Sequence, residues 1–200
     1  DRSMLTVLGA MNEIKPSMVD DRLLEMIRHW HISSYFLLTT LTGFWPGFLE
    51  KLKKKGITIS LDTNWSPGGN WERVAEILPM VDLFLPNEVE AMSITGEKDY
   101  REAGRLLSDR SGLVVIKRGE EGASAFRARK ETLMSVKEVI AGEVQVVDTT
   151  GAGDSFDGGF IFEWLKGQPV EQCMVTAIVC GTRNVQHMGG IGHLFNDELK

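Results

Sequence analysis

The stretch of this chain most capable of chemistry is a small-residue turn, Gly151-Ala152-Gly153, followed at once by Asp154. Such a turn leaves backbone N–H groups unhindered, and the helix that it opens adds the positive end of its dipole. These features predict an anion site with a carboxylate beside it. Phosphoryl transfer needs that pairing, because N–H donors stabilise the moving phosphoryl group and a carboxylate orients the attacking hydroxyl.

The same residues also suit an ordinary turn between a strand and a helix. Asp is favoured at helix starts and Gly in tight turns without any further function. The longer string over residues 148–160, Asp-Thr-Thr-Gly-Ala-Gly-Asp-Ser-Phe-x-Gly-Gly-Phe, favours the chemical interpretation. It resembles the C-terminal signature of the PfkB (ribokinase-like) family of carbohydrate kinases.

The resemblance implies a role for each residue of the turn. Asp154 is expected to face the acceptor substrate as the catalytic base that takes the hydroxyl proton, and Gly151, Ala152 and Gly153 are expected to form the anion hole. Asp148 matches a residue that helps to bind a monovalent cation such as K⁺ in several relatives, and whether it does so here is left open. Gly158 and Gly159 are predicted to allow close helix packing.

Asn87 and Glu90 follow a predicted strand over residues 81–85. By themselves they read as an N-cap and a capping box at the start of a helix. The resemblance implies instead the family's Asn-x-x-Glu motif, in which the two side chains position phosphate and Mg²⁺-bound water. Glu90 is therefore expected to act on Mg²⁺ through water, as suits a hard cation that keeps part of its hydration shell.

A further loop, Lys117 with Gly119 and Gly122, follows a predicted strand and also reads as a plain β-turn. By resemblance it lines the ATP site, with Lys117 near the phosphates. Asp62-Thr63-Asn64 resembles an Asp-x-Asn segment on the phosphate side of the site. The resemblance implies that Asn64 contacts the substrate. His29 and His31 have the spacing of a metal pair, but without a third ligand nearby a structural role is expected.

Strand-like and helix-like segments alternate along the first part of the chain, which predicts βαβ units and a parallel sheet. Predicted strands cover residues 32–38, 57–62, 81–85 and 113–117, and predicted helices cover 20–30, 45–55, 70–78, 88–95 and 100–110. Short antiparallel edge strands are expected at 123–126, 131–136 and 144–147, followed by helices at 154–166 and 169–186. The predicted fold is a ribokinase-like three-layer α/β/α domain, and the polar residues singled out above lie at the carboxyl ends of strands, where such folds bind ligands.

Composition narrows the functional classes. The 200 residues are 42% hydrophobic and carry a net charge of −6, which suits one core and argues against a nucleic-acid binder that relies on a basic face. Cys173 and Cys180 lie too far apart on a predicted helix for a disulfide, which favours a reduced, cytoplasmic protein. No apolar run is long enough to span a bilayer, so no membrane partner is expected.

The sequence therefore predicts an ATP- and Mg²⁺-dependent kinase that phosphorylates a hydroxyl of a sugar or sugar acid. A nucleoside kinase of the same superfamily and a non-catalytic, kinase-derived binding or regulatory protein remain alternatives. The chain begins in a segment that resembles the interior of family members, and the N-terminal glycine-rich signature and sugar lid have no counterpart. We therefore expect it to be the C-terminal part of such a kinase; a homodimer is a further expectation, since the lid often mediates dimerisation in this family.

Overall fold

The fold is built on one mixed sheet with helices on both faces. The computed structural model describes residues 9–64, 66 and 69–191. The strands are β1 (His29–Ile32), β2 (Thr58–Leu61), β3 (Leu83–Phe84), β4 (Leu113–Lys117), β5 (Ala123–Arg127) and β6 (Lys130–Met134). The helices are α1 (Leu23–Met26), α2 (Trp45–Lys54), α3 (Glu72–Ile77), α4 (Glu88–Thr95), α5 (Tyr100–Ser108), α6 (Val136–Val139), α7 (Ala152–Leu165) and α8 (Val170–Val185).

The six strands lie side by side in chain order, β1 to β6. The pairs β1–β2, β2–β3 and β3–β4 are parallel, whereas β4–β5 and β5–β6 are antiparallel. Parallel neighbours need a crossover element between them, and helices α2 to α5 supply it. The predicted parallel sheet with antiparallel edge strands is thus confirmed.

Two apolar cores form because successive strand residues point to opposite faces of the sheet. Phe84 and Val114 join the core under helices α2 to α5. Their chain neighbours Leu83, Leu113 and Val115 join the core under α7 and α8. Near-continuous apolar strands of this kind are typical of a sheet that is covered on both faces.

Helices α7 and α8 pack closely through one glycine. A Cβ atom on Gly159 would lie 2.9 Å from Cys180 Sγ and 3.1 Å from Ala177 Cα, so only glycine lets the two helices approach this far. The predicted packing role is therefore confirmed for Gly159. It is wrong for Gly158, which faces open space and lies exposed at the surface of α7. Cys173 and Cys180 are free thiols, as expected.

Several predicted boundaries were wrong. The strand expected over residues 32–38 is β1, at His29–Ile32, because Ser34 adopts a left-handed conformation (φ 55°) that ends the extended chain. Residues 144–147 form no strand; instead the Val147 N–H donates to the Val185 carbonyl at 2.7 Å. The long helix expected over residues 20–30 reduces to the four residues of α1.

Candidate functional site

The glycine turn lies where the sequence placed it, at the start of α7. Gly151 is the N-cap, with φ 75°, and a Cβ atom there would come within 2.7 Å of Gly190 Cα. A side chain at residue 151 is therefore excluded both by its backbone conformation and by the neighbouring chain. The helix begins at Ala152, two residues earlier than predicted, so Asp154 occupies its first turn.

The first turn of α7 leaves backbone donors available. Among the described residues, the N–H groups of Gly151, Gly153 and Asp154 make no hydrogen bond, whereas Ala152 N–H lies 3.3 Å from the Thr149 carbonyl. The Asp154 side chain is exposed beside them. Unpaired N–H groups at the positive end of a 14-residue helix can bind an anion.

Asp148 ties the turn to the chain that follows α8. Its carboxylate accepts hydrogen bonds from the Thr150 N–H and the Gly189 N–H, both at 2.9 Å, and these bonds lower its pKa. The Gly190 carbonyl is held in turn by the Asn184 side chain at 2.7 Å. The prediction that Asp148 ends a strand is wrong, because residues 144–147 form no strand. Asp148 instead braces the Gly189–Gly190 backbone against Gly151.

Lys117 lies between two carboxylates. Its Nζ is 3.2 Å from Asp62 Oδ2 and 3.1 Å from both carboxylate oxygens of Asp157. Burial would lower the pKa of Lys117, but Asp157 and Asp62 outweigh it and the net shift is upward. A Cβ atom on Gly153 would lie 3.6 Å from the same Nζ, so the ammonium group sits directly under the glycine turn.

The pKa values of the two carboxyl groups in this cluster are shifted in opposite directions. Burial raises the pKa of Asp157 well above its usual range, more than Lys117 can lower it. Burial also acts on Asp62, but Lys117 and a hydrogen bond from Asp157 outweigh it, so the Asp62 pKa is lowered. Asp62 is thus the anion that pairs with Lys117, and Asp157 is the carboxyl group that holds a proton most tightly.

Asn87 and Glu90 form the capping box that their spacing predicted. The Asn87 side chain accepts from the Glu90 N–H, and Glu90 Oε2 accepts from the Asn87 N–H, both at 2.9 Å. Glu90 is only 4% exposed, and burial raises its pKa. Asn87 also pairs with Lys117 across the sheet edge, which brings the two predicted ATP-binding segments together.

This arrangement fits Mg²⁺ through water rather than direct ligation. One oxygen of Glu90 is committed to the cap, and no group of three or more acidic, His or Cys side chains among the described residues could hold a metal ion. A hard cation that keeps several waters needs only one such carboxylate nearby. The donor set therefore suits the water-mediated contact expected of Glu90.

The remaining predicted residues lie in loops of defined geometry. Asn64 adopts φ 54°, and its side-chain amide donates to Ser34 Oγ at 2.9 Å, which links the chain after β1 to the chain after β2. Gly122, with φ 91°, has no room for a Cβ atom because the Met134 carbonyl would lie 2.1 Å away. Gly119 (φ 56°) begins the 3-10 turn between β4 and β5.

A cavity of about 430 Å³ opens next to Asp154. Its polar lining is His31, Ser33, Asp154 and Asp157, and Ile161 and Phe162 supply an apolar wall. Asp157 and His31 were not predicted as site residues. Asp157 could have been found from its spacing of three from Asp154, which places both residues on one side of α7. For His31, the alternation of residues along the strand did not indicate that the side chain lines a cavity.

The family comparison matches nearly the whole chain: residues 1–195 fit the model described as pfkB family carbohydrate kinase. A cytidine kinase of Thermococcus kodakarensis is 34% identical over 131 residues, 63% of this chain and 45% of that protein. A ribokinase of Arabidopsis thaliana is 27% identical over 200 residues, 94% of this chain and 50% of that protein. The chain thus spans about half the length of these curated relatives.

Solved structures share the fold. A putative ribokinase II from E. coli, in complex with ATP and Mg²⁺, aligns with a TM-score of 0.79 at 23% identity, covering 90% of this chain and 60% of that one. Adenosine kinase from Sinorhizobium meliloti aligns with a TM-score of 0.78 at 20% identity, covering 93% and 58%. Within the part of the chain that the structure describes, no helix has the length and apolar character to cross a bilayer.

Proposed function

Because the chain belongs to the pfkB family of carbohydrate kinases, we propose that it transfers the γ-phosphoryl group of ATP to a hydroxyl of a sugar or sugar acid. The observation that carries this proposal is the first turn of α7. There an exposed carboxylate, Asp154, borders a cavity and stands beside unpaired backbone N–H groups. A hydroxyl bound in the cavity would meet the carboxylate and the anion site together.

Asp154 would orient the acceptor hydroxyl and take its proton as the new P–O bond forms. A loose phosphoryl-transfer transition state asks mainly for positioning, so a weak base is sufficient. The N–H groups of Gly151 and Gly153 would stabilise charge on the transferred phosphoryl group. Ala152 N–H would contribute only by giving up its 3.3 Å bond to the Thr149 carbonyl.

ATP would lie along the carboxyl edge of the sheet, over Asn87 and the loop that contains Gly119 and Gly122. Mg²⁺ would neutralise phosphate charge when bound, and Glu90 would hold one of its waters through the oxygen that the capping box leaves free. Lys117 could reach a phosphate only by leaving a carboxylate, because its ammonium group already contacts Asp62 and Asp157. The K⁺ role of Asp148 stays a prediction.

A nucleoside is the second candidate acceptor. The Thermococcus kodakarensis relative is named a cytidine kinase, and the apolar cavity wall offers a surface that suits a base as well as the C–H face of a sugar. Phe162 is 57% exposed there, beside Ile161. A flat apolar partner for this ring is the feature that would favour a nucleoside over a free sugar.

The deciding experiment measures ADP release from MgATP with a panel of sugars, sugar acids and nucleosides, against an ATP-only blank. Turnover of one compound would support the kinase and identify the acceptor class. Asp154→Asn should lower turnover by orders of magnitude and leave MgATP affinity nearly intact. Asp109→Asn, which alters a surface carboxylate paired with Arg129, is the matched control and should behave as wild type.

Two results would count against the proposal. Near-wild-type turnover in Asp154→Asn would remove this residue from the mechanism. Silence across the whole panel together with retained MgATP binding would favour the non-catalytic, kinase-derived binding protein, unless addition of the upstream part found in longer relatives restores activity.

A further inference from the structure

A chain of hydrogen bonds runs across β1 and β2 behind the cavity. It begins at His31, whose Nδ1 lies 2.7 Å from Ser60 Oγ, and continues from Ser60 Oγ to His29 Nε2 at 2.8 Å. His29 Nδ1 then contacts Thr58 Oγ1 at 2.9 Å, and Thr58 Oγ1 lies 3.1 Å from the Arg28 carbonyl. Both rings and the Ser60 hydroxyl thus form one relay that ends on a carbonyl oxygen.

Neutral imidazole rings make this relay directional, since each ring then has one donor and one acceptor nitrogen. Burial lowers the pKa of His29 to about 4. Burial also lowers that of His31; the charges of Asp62 and Asp154 oppose this shift and Lys117 adds to it. Both shifts favour the neutral form of the rings at pH 7.

The carbonyl at the end of the relay sets its direction, because a carbonyl oxygen can only accept. If the Thr58 hydroxyl donates to it, His29 donates from Nδ1 to Thr58 and accepts at Nε2 from the Ser60 hydroxyl. Ser60 then accepts from the Nδ1–H of His31. In the reverse direction the Thr58 hydroxyl would donate to His29 Nδ1, and the hydrogen bond to the Arg28 carbonyl would be lost. The first direction is favoured because it makes one hydrogen bond more.

In this direction the Nε2 of His31 carries a lone pair. That nitrogen has no hydrogen-bond partner among the described residues, and the ring lines the cavity that also contains Asp154. We propose that His31 Nε2 accepts a hydrogen bond from a hydroxyl of the acceptor substrate, other than the hydroxyl that is phosphorylated. This inference rests on the proposed kinase function and adds a requirement: the acceptor must present a hydrogen-bond donor at this point.

A lone pair on His31 Nε2 also excludes substrate groups that cannot donate a hydrogen bond. A carboxylate, keto oxygen or fluorine facing a lone pair cannot form the hydrogen bond, so the acidic end of a sugar acid would not bind here. Loss of one buried hydrogen bond with an unpaired partner reduces specificity constants on the order of 10- to 100-fold. The site would thus select polyhydroxylated acceptors by the direction of one hydrogen bond.

The tautomer can be measured without any turnover. Two-bond ¹⁵N–¹H correlation spectra of the wild-type chain at pH 7 should show His31 protonated at Nδ1 and unprotonated at Nε2. Substituting each of the four histidines by glutamine in turn assigns the signals. His29→Leu removes the acceptor of the Ser60 hydroxyl, which should then donate to His31 and move the proton to Nε2; Thr58→Val is a second, isosteric way to release the direction.

The acceptor is then tested with cytidine and D-ribose, each compared with analogues in which one hydroxyl at a time is replaced by hydrogen or by fluorine. At one position, both replacements should lower kcat/KM by on the order of 10- to 100-fold, because fluorine accepts but cannot donate. In His31→Gln or His31→Leu, whichever folds, the gap between parent and analogues at that position should shrink.

A wild-type His31 protonated at Nε2 would overturn the proposal. So would a fluorinated analogue that equals its parent at every position while the deoxy compound fails, since the hydroxyl would then be an acceptor. If no probe is phosphorylated, the proposed function fails separately. In that case the shift of the Nε2 resonance on adding the same probes decides whether they bind His31, and no shift with any of them overturns the inference.

Discussion

Helix α7 covers two halves of one sheet face that differ in character. On β3 to β5 the residues facing the helix are apolar, among them Leu83, Leu113 and Val115, and they pack against Phe156 and Phe160. On β1 and β2 the corresponding alternation presents two histidines and two hydroxyl side chains, His29, His31, Thr58 and Ser60, joined by hydrogen bonds.

The difference shows how one helix can be anchored by packing over part of its length and border an open cavity over the rest. The apolar half fixes α7 by burial. The polar half lines the open cavity and contributes side chains that can form hydrogen bonds with a ligand. Lys117, with Asp62 and Asp157, lies under the glycine turn of the same helix. Asp154, the proposed catalytic base on α7, therefore lies on a helix that is anchored by the apolar half, and it borders the cavity that the polar half lines.

The largest expected effect comes from this ion cluster. Lys117→Met removes the only cation that contacts Asp62 and Asp157 in the described structure, so buried carboxylates lose their partner. We expect a loss of about 3–5 kcal/mol in the free energy of unfolding, measured with urea. The double variant Lys117→Met/Asp157→Leu should lose less than the sum of the two single variants. A loss below about 1 kcal/mol for Lys117→Met would mean that the cluster does not anchor α7.

The apolar half is tested by Leu113→Ala. Leu113 is 1% exposed and lies at the amino end of β4, whereas the site lies at the carboxyl ends of the parallel strands. Truncation should cost about 2–5 kcal/mol of unfolding free energy. Below its melting temperature the variant should keep the wild-type KM for the acceptor, and a changed KM would show that this half also shapes the cavity.

The polar half is tested by pH. The pKa of His29 is about 4 in the folded chain against an ordinary 6.5, so the unfolded chain binds a proton first as pH falls. Stability should be full above pH 6.5 and decline between pH 6.5 and 4. Between pH 7 and 5 we expect a loss of about 1–2 kcal/mol, after allowing for solvent screening of a half-buried ring.

The comparison for this pH effect is His29→Leu, which should lose less stability over the same interval, with the remainder owed to His31. Urea unfolding at several pH values measures both chains. If wild type and His29→Leu showed equal pH dependence, His29 would not take up a proton on unfolding in this pH range.

The smallest effect is expected outside both halves. Arg105 pairs with Glu102 on the exposed side of α5, and Arg105→Ala should change the free energy of unfolding by about 0.5 kcal/mol or less. This variant gives the baseline for the other three. A larger loss would indicate that Arg105 contributes by packing its stem rather than by charge.

Local patterns predicted the elements whose causes are local. The capping box of Asn87 and Glu90 formed as its spacing indicated, and the strand over residues 113–117 was placed to the residue. The alternation at 144–147 misled, because an extended segment becomes a strand only if a neighbour pairs with it. Tyr35 to Leu38 misled similarly, since the left-handed Ser34 turns the chain before them.

The sequence by itself determined the family, the sheet and the position of the glycine turn, because these follow from contiguous motifs and alternating apolar residues. Tertiary structure alone decided the partners of Lys117, which lie 55 and 40 residues away in the chain. It also decided the hydrogen-bond partner of His31, which is a serine on the neighbouring strand. Charge pairing and tautomer depend on distances between remote segments, and residue spacing carries no record of them.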